Sequence, residues 1–323
     1  MNTDVSVIIP VFNGEAFIGR AIDSVLRQTH PATEIIVVND GSTDGTAQAL
    51  ARFGDRIRAI HTPNRGVSSA RNAGFAASTC SLVAFLDADD EWHDDKLARQ
   101  VDALARHPRS ALCCCDYVVQ DGAAPHAQHQ PQAQAHFSRV ATRTGTLPDD
   151  WMRDPLAALV QGNFVGTTST VLVKRALLNT VGLFHSRYKQ AEDYDLWIRC
   201  ALVTEFTVMS EVLLKKIGHD GNLTNDQIET FLYHETVLDA HVAGRTFAAH
   251  PALRSAARLA LAQTRYQLAN LLFEARRYAE SGSYYLKALR TQASPRNVGL
   301  FLHYTSRKLV RTLSFGTLRA KAA

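Results

Sequence analysis

Four short strand-like runs, at residues 5–10 (VSVIIP), 34–38 (EIIVV), 57–61 and 82–86, all but the third largely apolar, recur along the first part of the chain, and each gives way to polar residues. Runs without alternation suit strands buried on both faces, since a strand covered on one side only would alternate apolar and polar residues. The stretches between them have helical spacing. Phe17, Ile18, Ala21, Ile22, Val25 and Leu26 share one face, as do Ala47, Leu50 and Phe53, and then Ala70, Ala73 and Ala77. Strands alternating with helices need crossover connections, so the chain predicts an α/β fold with a mostly parallel sheet flanked by helices. Ligands of such sheets bind beyond the carboxyl ends of the strands, where Asn13, Asp40, Asn64 and Asp87 all fall.

The fourth run leads straight into carboxylates, reading FLDADDEW over residues 85–92. In extended backbone Asp87 and Asp89 point the same way, and two like charges so close raise one pKa unless a cation lies between them. A hard divalent ion with oxygen ligands, Mg²⁺ or Mn²⁺, resolves this; a solvated acidic loop capping a helix near Asp94 is the plainer account. Other positions also admit two readings. Asp40 in NDGST serves a turn or accepts hydrogen bonds from a nucleobase, and Phe12 packs in the core or stacks on that base. The segment at Asn64 is a turn or a ligand contact, and Arg71 on the next helix can offer its charge to a diphosphate. Glu192 and Asp193 precede a helix whose macrodipole suits acids at that end.

Taken together and in order, VSVIIPVFN, VVNDGSTDGT, NRGVSSARNAG, FLDADDEW and AEDYDLWIR resemble the nucleotide-sugar domain of family 2 glycosyltransferases, inverting enzymes of the Rossmann-like GT-A fold, over about the first two-thirds of the chain. The resemblance implies that Phe12 and Asp40 hold the base, that Pro10 and Asn64 belong to the nucleotide-sugar site, that Arg71 lies near the nucleotide, and that Asp87 and Asp89 form the DxD element. Asp89 is then the metal ligand, Asp193 the base that deprotonates the acceptor hydroxyl, and His219 a second ligand to Mn²⁺ or Mg²⁺. Asn39 stands where many relatives carry a second Asp. The implied activity is metal-dependent transfer of a sugar, a uridine donor being the first guess, to a glycan or lipid-linked acceptor in cell-surface polysaccharide synthesis. A sugar-1-phosphate nucleotidyltransferase fits less well, because PVFNGE is not a glycine-rich loop. A non-catalytic scaffold of polysaccharide assembly would leave the intact acidic motifs unexplained.

The rest of the sequence sets boundaries. Residues 1–226 read as the catalytic domain, interrupted near 120–148 by a Gln-, Ala-, His- and Pro-rich excursion without an apolar face. His126, His129 and His136 within it read as solvated. Residues 227–323 read as all-helical, with one tetratricopeptide-like hairpin at 262–295 and a basic amphipathic tail at 296–323. From residue 281 on there are eight basic residues and no Asp or Glu, so the preceding chain is net negative. That tail fits an anionic membrane surface or a helix docked on protein, and no recognition motif points to nucleic acid. The five cysteines form no CxxC pair, three being consecutive, which together with the lack of a leader or spanning segment predicts a cytoplasmic protein with peripheral membrane contact as an option.

Overall fold

The computed structural model describes residues 3–121, 150–218, 226–244, 246–248, 250–293, 298–299 and 302. The predicted alternation is present as β1 (Val5–Val11), α1 (Ile18–Leu26), β2 (Glu34–Asp40), α2 (Thr46–Ala51), β3 (Arg58–Thr62), α3 (Val67–Ala77) and β4 (Leu82–Phe85). β1 pairs in parallel with β2 and β4, and β2 with β3. Every residue of β1 and β4 is buried, whereas β3, at the edge, is largely open. The sheet continues past β4 through β8 (Val171–Lys174), β6 (Ser110–Asp121), β9 (Glu205–Gly218) and β5 (Asp90–Trp92), with β7 (Asp150–Met152) also on β9.

This farther half is mixed. β8 is antiparallel to β4 and β6, β5 and β7 are antiparallel to β9, and only β6 and β9 run parallel. The βα repeat that imposes parallel pairing ends at β4, and strand direction beyond it is chosen by tertiary partners. Helices α4 (Lys96–Arg106), α5 (Pro155–Gln161), α6 (Arg175–Val181) and α7 (Glu192–Ala201) complete this unit.

Alternate residues of the central strands serve different cores, as a period of two requires. Val5, Val7, Ile9, Val11, Ile35 and Val37 join Ile18, Ile22, Leu97 and Leu104 of α1 and α4. Ile36 and Val38 pack on Ala70, Ala73 and Ala77 of α3. The small residues of α3 let it sit close: a Cβ on Gly74 would lie 2.4 Å from Ile8 Cγ2. Gly74→Ala should therefore destabilise the protein by about 1–2 kcal/mol, the overpacking outweighing the better helix propensity of Ala. A wild-type urea midpoint in that variant would mean that α3 shifts away freely.

The described chain divides into two compact units, Met1–Asn225 and Asp226–Ala323. The second contains α8 (Gln227–Ala243), α9 (Pro251–Glu274) and α10 (Tyr278–Thr291). Tyr266, Ala269 and Phe273 of α9 pack on Tyr285 and Ala288 of α10, and Arg265 ion-pairs with Glu235 and Asp239 of α8. No helix of the described residues is long and apolar enough to cross a membrane. The excursion from residue 122 on, His219, and the basic tail apart from residues 298, 299 and 302 lie outside the described residues.

Candidate functional site

The loops leaving β1, β2 and β3 are stitched to one another. Asn13, left-handed at φ 50°, accepts from the Thr43 amide through Oδ1 at 2.8 Å, while its own amide donates to Ser42 Oγ at 2.9 Å. Asp40 is buried at the end of β2, and its carboxylate accepts from the amides of Arg65 and Gly66 and from Thr62 Oγ1. It thus anchors the loop that carries Asn64 and starts α3. Gly41 at φ 76° lies so close to Asn64 that a Cβ would come within 2.7 Å of the Asn64 amide. Phe12 is 52% exposed beside this loop cluster's first strand, whereas Pro10 is buried within β1 opposite Val38.

Two strands away, roughly 10 Å at the usual ~4.8 Å spacing, β4 delivers the acidic cluster. Asp87 Oδ1 accepts from Arg71 Nη2 at 2.7 Å, and Arg71 Nη1 donates to Glu192 Oε1 at 2.5 Å. Arg71 is itself buried and lies 5.2 Å over the Phe184 ring. One guanidinium therefore ties the exit of β4 to the start of α7. Read from sequence, Arg71 offers its charge to a diphosphate; in the fold that charge faces two carboxylates. The Thr167 and Thr168 hydroxyls also donate to Asp87, whose amide donates to Ser169 Oγ. Burial works to raise the Asp87 pKa, but Arg71 overcomes it and holds the carboxyl below its ordinary range. Glu192 behaves oppositely: burial, reinforced by Asp193 next door, keeps it above its ordinary range despite Arg71.

Asp193 follows Ala191, whose left-handed φ of 58° turns the chain into α7. Its Oδ1 accepts from the Tyr194 amide at 2.6 Å, and Asn163 Nδ2 reaches Oδ2 at 3.4 Å. Burial raises its pKa, Arg71 tempers that, and Asp87 adds to it. A half-buried carboxylate of raised basicity is suited to accepting a proton. The site thus joins Asp87, Arg71 and Glu192 through direct contacts, with Asp193 adjacent to Glu192 in sequence, and Asp40, Phe12 and Asn64 along the same strand ends.

Three features of the site are absent from the sequence reading. The threonine turn at residues 167–170 buttresses Asp87, and the TTST run is its only sequence signal. Asp90 begins β5, buried, with neither carboxylate oxygen in a hydrogen bond. Burial, then Asp87 and Asp89, raise its pKa well above normal. Lys216 of β9 faces Asp90 across the sheet. Its pKa is raised: burial opposes the charge, and Asp90, Tyr117, Asp87 and Asp89 more than restore it.

Among the described residues no group of three or more His, Cys, Asp or Glu side chains is arranged to hold a metal ion. The donor chemistry nonetheless fits a hard cation. Asp89 is half-buried at the strand exit, and the neighbouring Asp90 oxygens are buried without partners. Mg²⁺ and Mn²⁺ sites commonly use one or two carboxylates and complete their shell with water and phosphate oxygens.

A family model described as "Glycosyl transferase family 2" matches residues 6–181. An uncharacterized glycosyltransferase of Rickettsia typhi is 31% identical over 234 residues, covering 72% of this chain and 70% of its own. Among solved structures, S. aureus TarS superposes with a TM-score of 0.61 at 18% identity over 95% of this chain, which spans 53% of that protein's length. The 1–349 segment of TarS has been solved with UDP-GlcNAc. A mannosyltransferase of Pyrobaculum calidifontis in complex with GDP-Man and Mn²⁺ superposes at 0.56, with 19% identity, over 94% of this chain and 80% of its own. At these identities the likeness to the two solved proteins concerns the fold, which is of the GT-A kind.

Proposed function

The chain belongs to glycosyl transferase family 2, and from that premise we propose that it transfers a hexose from a nucleotide-diphosphate donor to an acceptor hydroxyl, with inversion at the anomeric carbon. The observation that carries this reading is the Arg71 bridge, which bonds Asp87 of the DxD element and, 121 positions along the chain from Arg71 itself, Glu192 of the Glu192–Asp193 pair. Donor and acceptor groups that must react are thereby given neighbouring sites. A uridine donor is the leading choice, TarS having been solved with UDP-GlcNAc and the archaeal mannosyltransferase with GDP-Man.

In this reading the base rests by the exposed Phe12, with Asp40 and Asn64 forming the end wall. A carboxylate has about four lone-pair sites, so Asp40 retains capacity for a base N–H beyond its loop contacts. Asp89 holds the divalent ion, with His219 as a further ligand; Mn²⁺ is favoured by the archaeal neighbour. When bound, the ion neutralises charge on the diphosphate. Asp193 accepts the acceptor's hydroxyl proton as that oxygen bonds to the anomeric carbon from the face opposite the departing diphosphate. A single displacement of this kind inverts the centre without a covalent enzyme intermediate. The acceptor class we propose is a surface glycan or lipid-linked saccharide, met in the cytoplasm or at the membrane face, with the helical unit as a tetratricopeptide-like contact element.

A panel of nucleotide sugars, scored for Mn²⁺-dependent transfer and hydrolysis with the anomeric product identified, tests the reading. Asp89→Ala is expected to reduce turnover at least about a hundred-fold. Its melting temperature should stay near wild type, since the side chain is not part of the core. Retention of the anomeric configuration, or full activity in Asp89→Ala, would refute the assignment.

A further inference from the structure

Lys216 and Asp90 are directly opposed in the antiparallel β5–β9 pairing, so both side chains leave the same face of the sheet. On the other side of β9, Lys216 is in register with Val119 of β6, two residues from Tyr117. The lysine is half-buried, and among the described residues its ammonium makes no hydrogen bond and no ion pair within 4 Å. It is attracted at longer range by Asp90, Tyr117, Asp87 and Asp89 together.

A lysine whose task was only to neutralise Asp90 would close on it. Opposed residues of an antiparallel pair have Cβ atoms about 4.5–5.5 Å apart, and a four-carbon stem spans that easily. Instead the Asp90 oxygens lie buried without partners while the cation stands off, within the field of several acids and bonded to none. Such an ammonium is free to turn toward an incoming anion at the place where Asp89 would present one.

We propose that Lys216 grips the diphosphate of the donor and stabilises it as the leaving group, a deepening that rests on the donor reading above. As the anomeric carbon–oxygen bond breaks, its electron pair stays on the phosphate oxygen. The Lys216 ammonium donates a hydrogen bond to that oxygen and keeps its proton, so no further co-reactant is needed. The interaction strengthens as charge develops, which is the condition for raising turnover as well as affinity. The surrounding acids together keep the ammonium near the cluster until the diphosphate arrives.

Calorimetry of the full chain with Mn²⁺ and, in parallel, UDP, GDP and the matching free nucleosides tests this. Lys216→Met should weaken binding of the preferred diphosphate about ten- to a hundred-fold while leaving nucleoside binding unchanged, and should lower kcat as well as raise the donor KM. Lys216→Arg, which keeps the charge, should retain most of the diphosphate affinity even if the methionine variant folds poorly. The double variant Asp90→Asn with Lys216→Met distinguishes gripping the ligand from balancing a buried acid. Recovery of diphosphate affinity in the double variant would overturn the proposal, as would equal losses for diphosphate and nucleoside. Wild-type diphosphate affinity in Lys216→Met overturns this inference alone, whereas a wild-type protein that binds neither diphosphate overturns the donor reading with it.

Discussion

Asp193→Asn is expected to fold normally and to lose about a hundred- to ten-thousand-fold in kcat, the usual contribution of a positioned general base. The amide replaces the carboxylate at nearly constant volume and can still accept from the Tyr194 amide, which now bonds Oδ1 at 2.6 Å. What it cannot do is take up a proton. The pH profile provides the sharper readout. Transfer needs ionised Asp193, so activity falls as pH drops through its pKa, and burial has lifted that pKa above the ordinary carboxylate range. The acidic limb of the wild-type profile should therefore lie higher than an exposed Asp would place it, and should vanish from the residual activity of the variant. An unchanged acidic limb in Asp193→Asn would assign the proton to another group.

Removal of the Arg71 charge should have the largest effect on stability. Arg71→Met takes from Asp87 and Glu192 the one cation that bonds them both, in a region where the arginine side chain is only 5% exposed. Breaking one partner out of a buried ion pair costs about 3–5 kcal/mol. In a unit of this size that corresponds to a fall in Tm of roughly 6–20 °C. The pH dependence has a definite sign. Without Arg71 both acids acquire folded-state pKa values above their unfolded ones, so protonation favours the native state. The deficit should shrink as pH is lowered toward the unfolded carboxylate range and be complete above the raised pKa values. Arg71→Lys should rescue poorly, because an ammonium cannot fork between two carboxylates and stack on Phe184 at once. Wild-type melting of Arg71→Met would remove the bridge from the account of how the site is held together.

Much of the molecule was legible from pattern alone. β1, β2 and β4 read directly, because parallel strands covered on both faces leave uninterrupted apolar runs, and the acids at their ends follow from that assignment. The five cysteines are all buried. β5 escaped notice because its three residues, Asp90 to Trp92, look like the continuation of an acidic loop. Its strand character comes from β9, a partner more than a hundred positions away. For Arg71, helical position places a guanidinium near the strand ends, but only the fold shows that it bonds Asp87 and Glu192 there.

The order and chemistry of the motifs were thus enough to establish the family, the α/β fold and the row of acids along one edge of the sheet, because these depend on residue type and local period. Which acid shares a cation with which was decided only when distant segments came together. Charge pairing in a buried site depends on separations of a few ångströms and on desolvation, and neither has any counterpart in one-dimensional spacing. Asp87 and Glu192 around one guanidinium, and Lys216 standing opposite Asp90, are products of that closure.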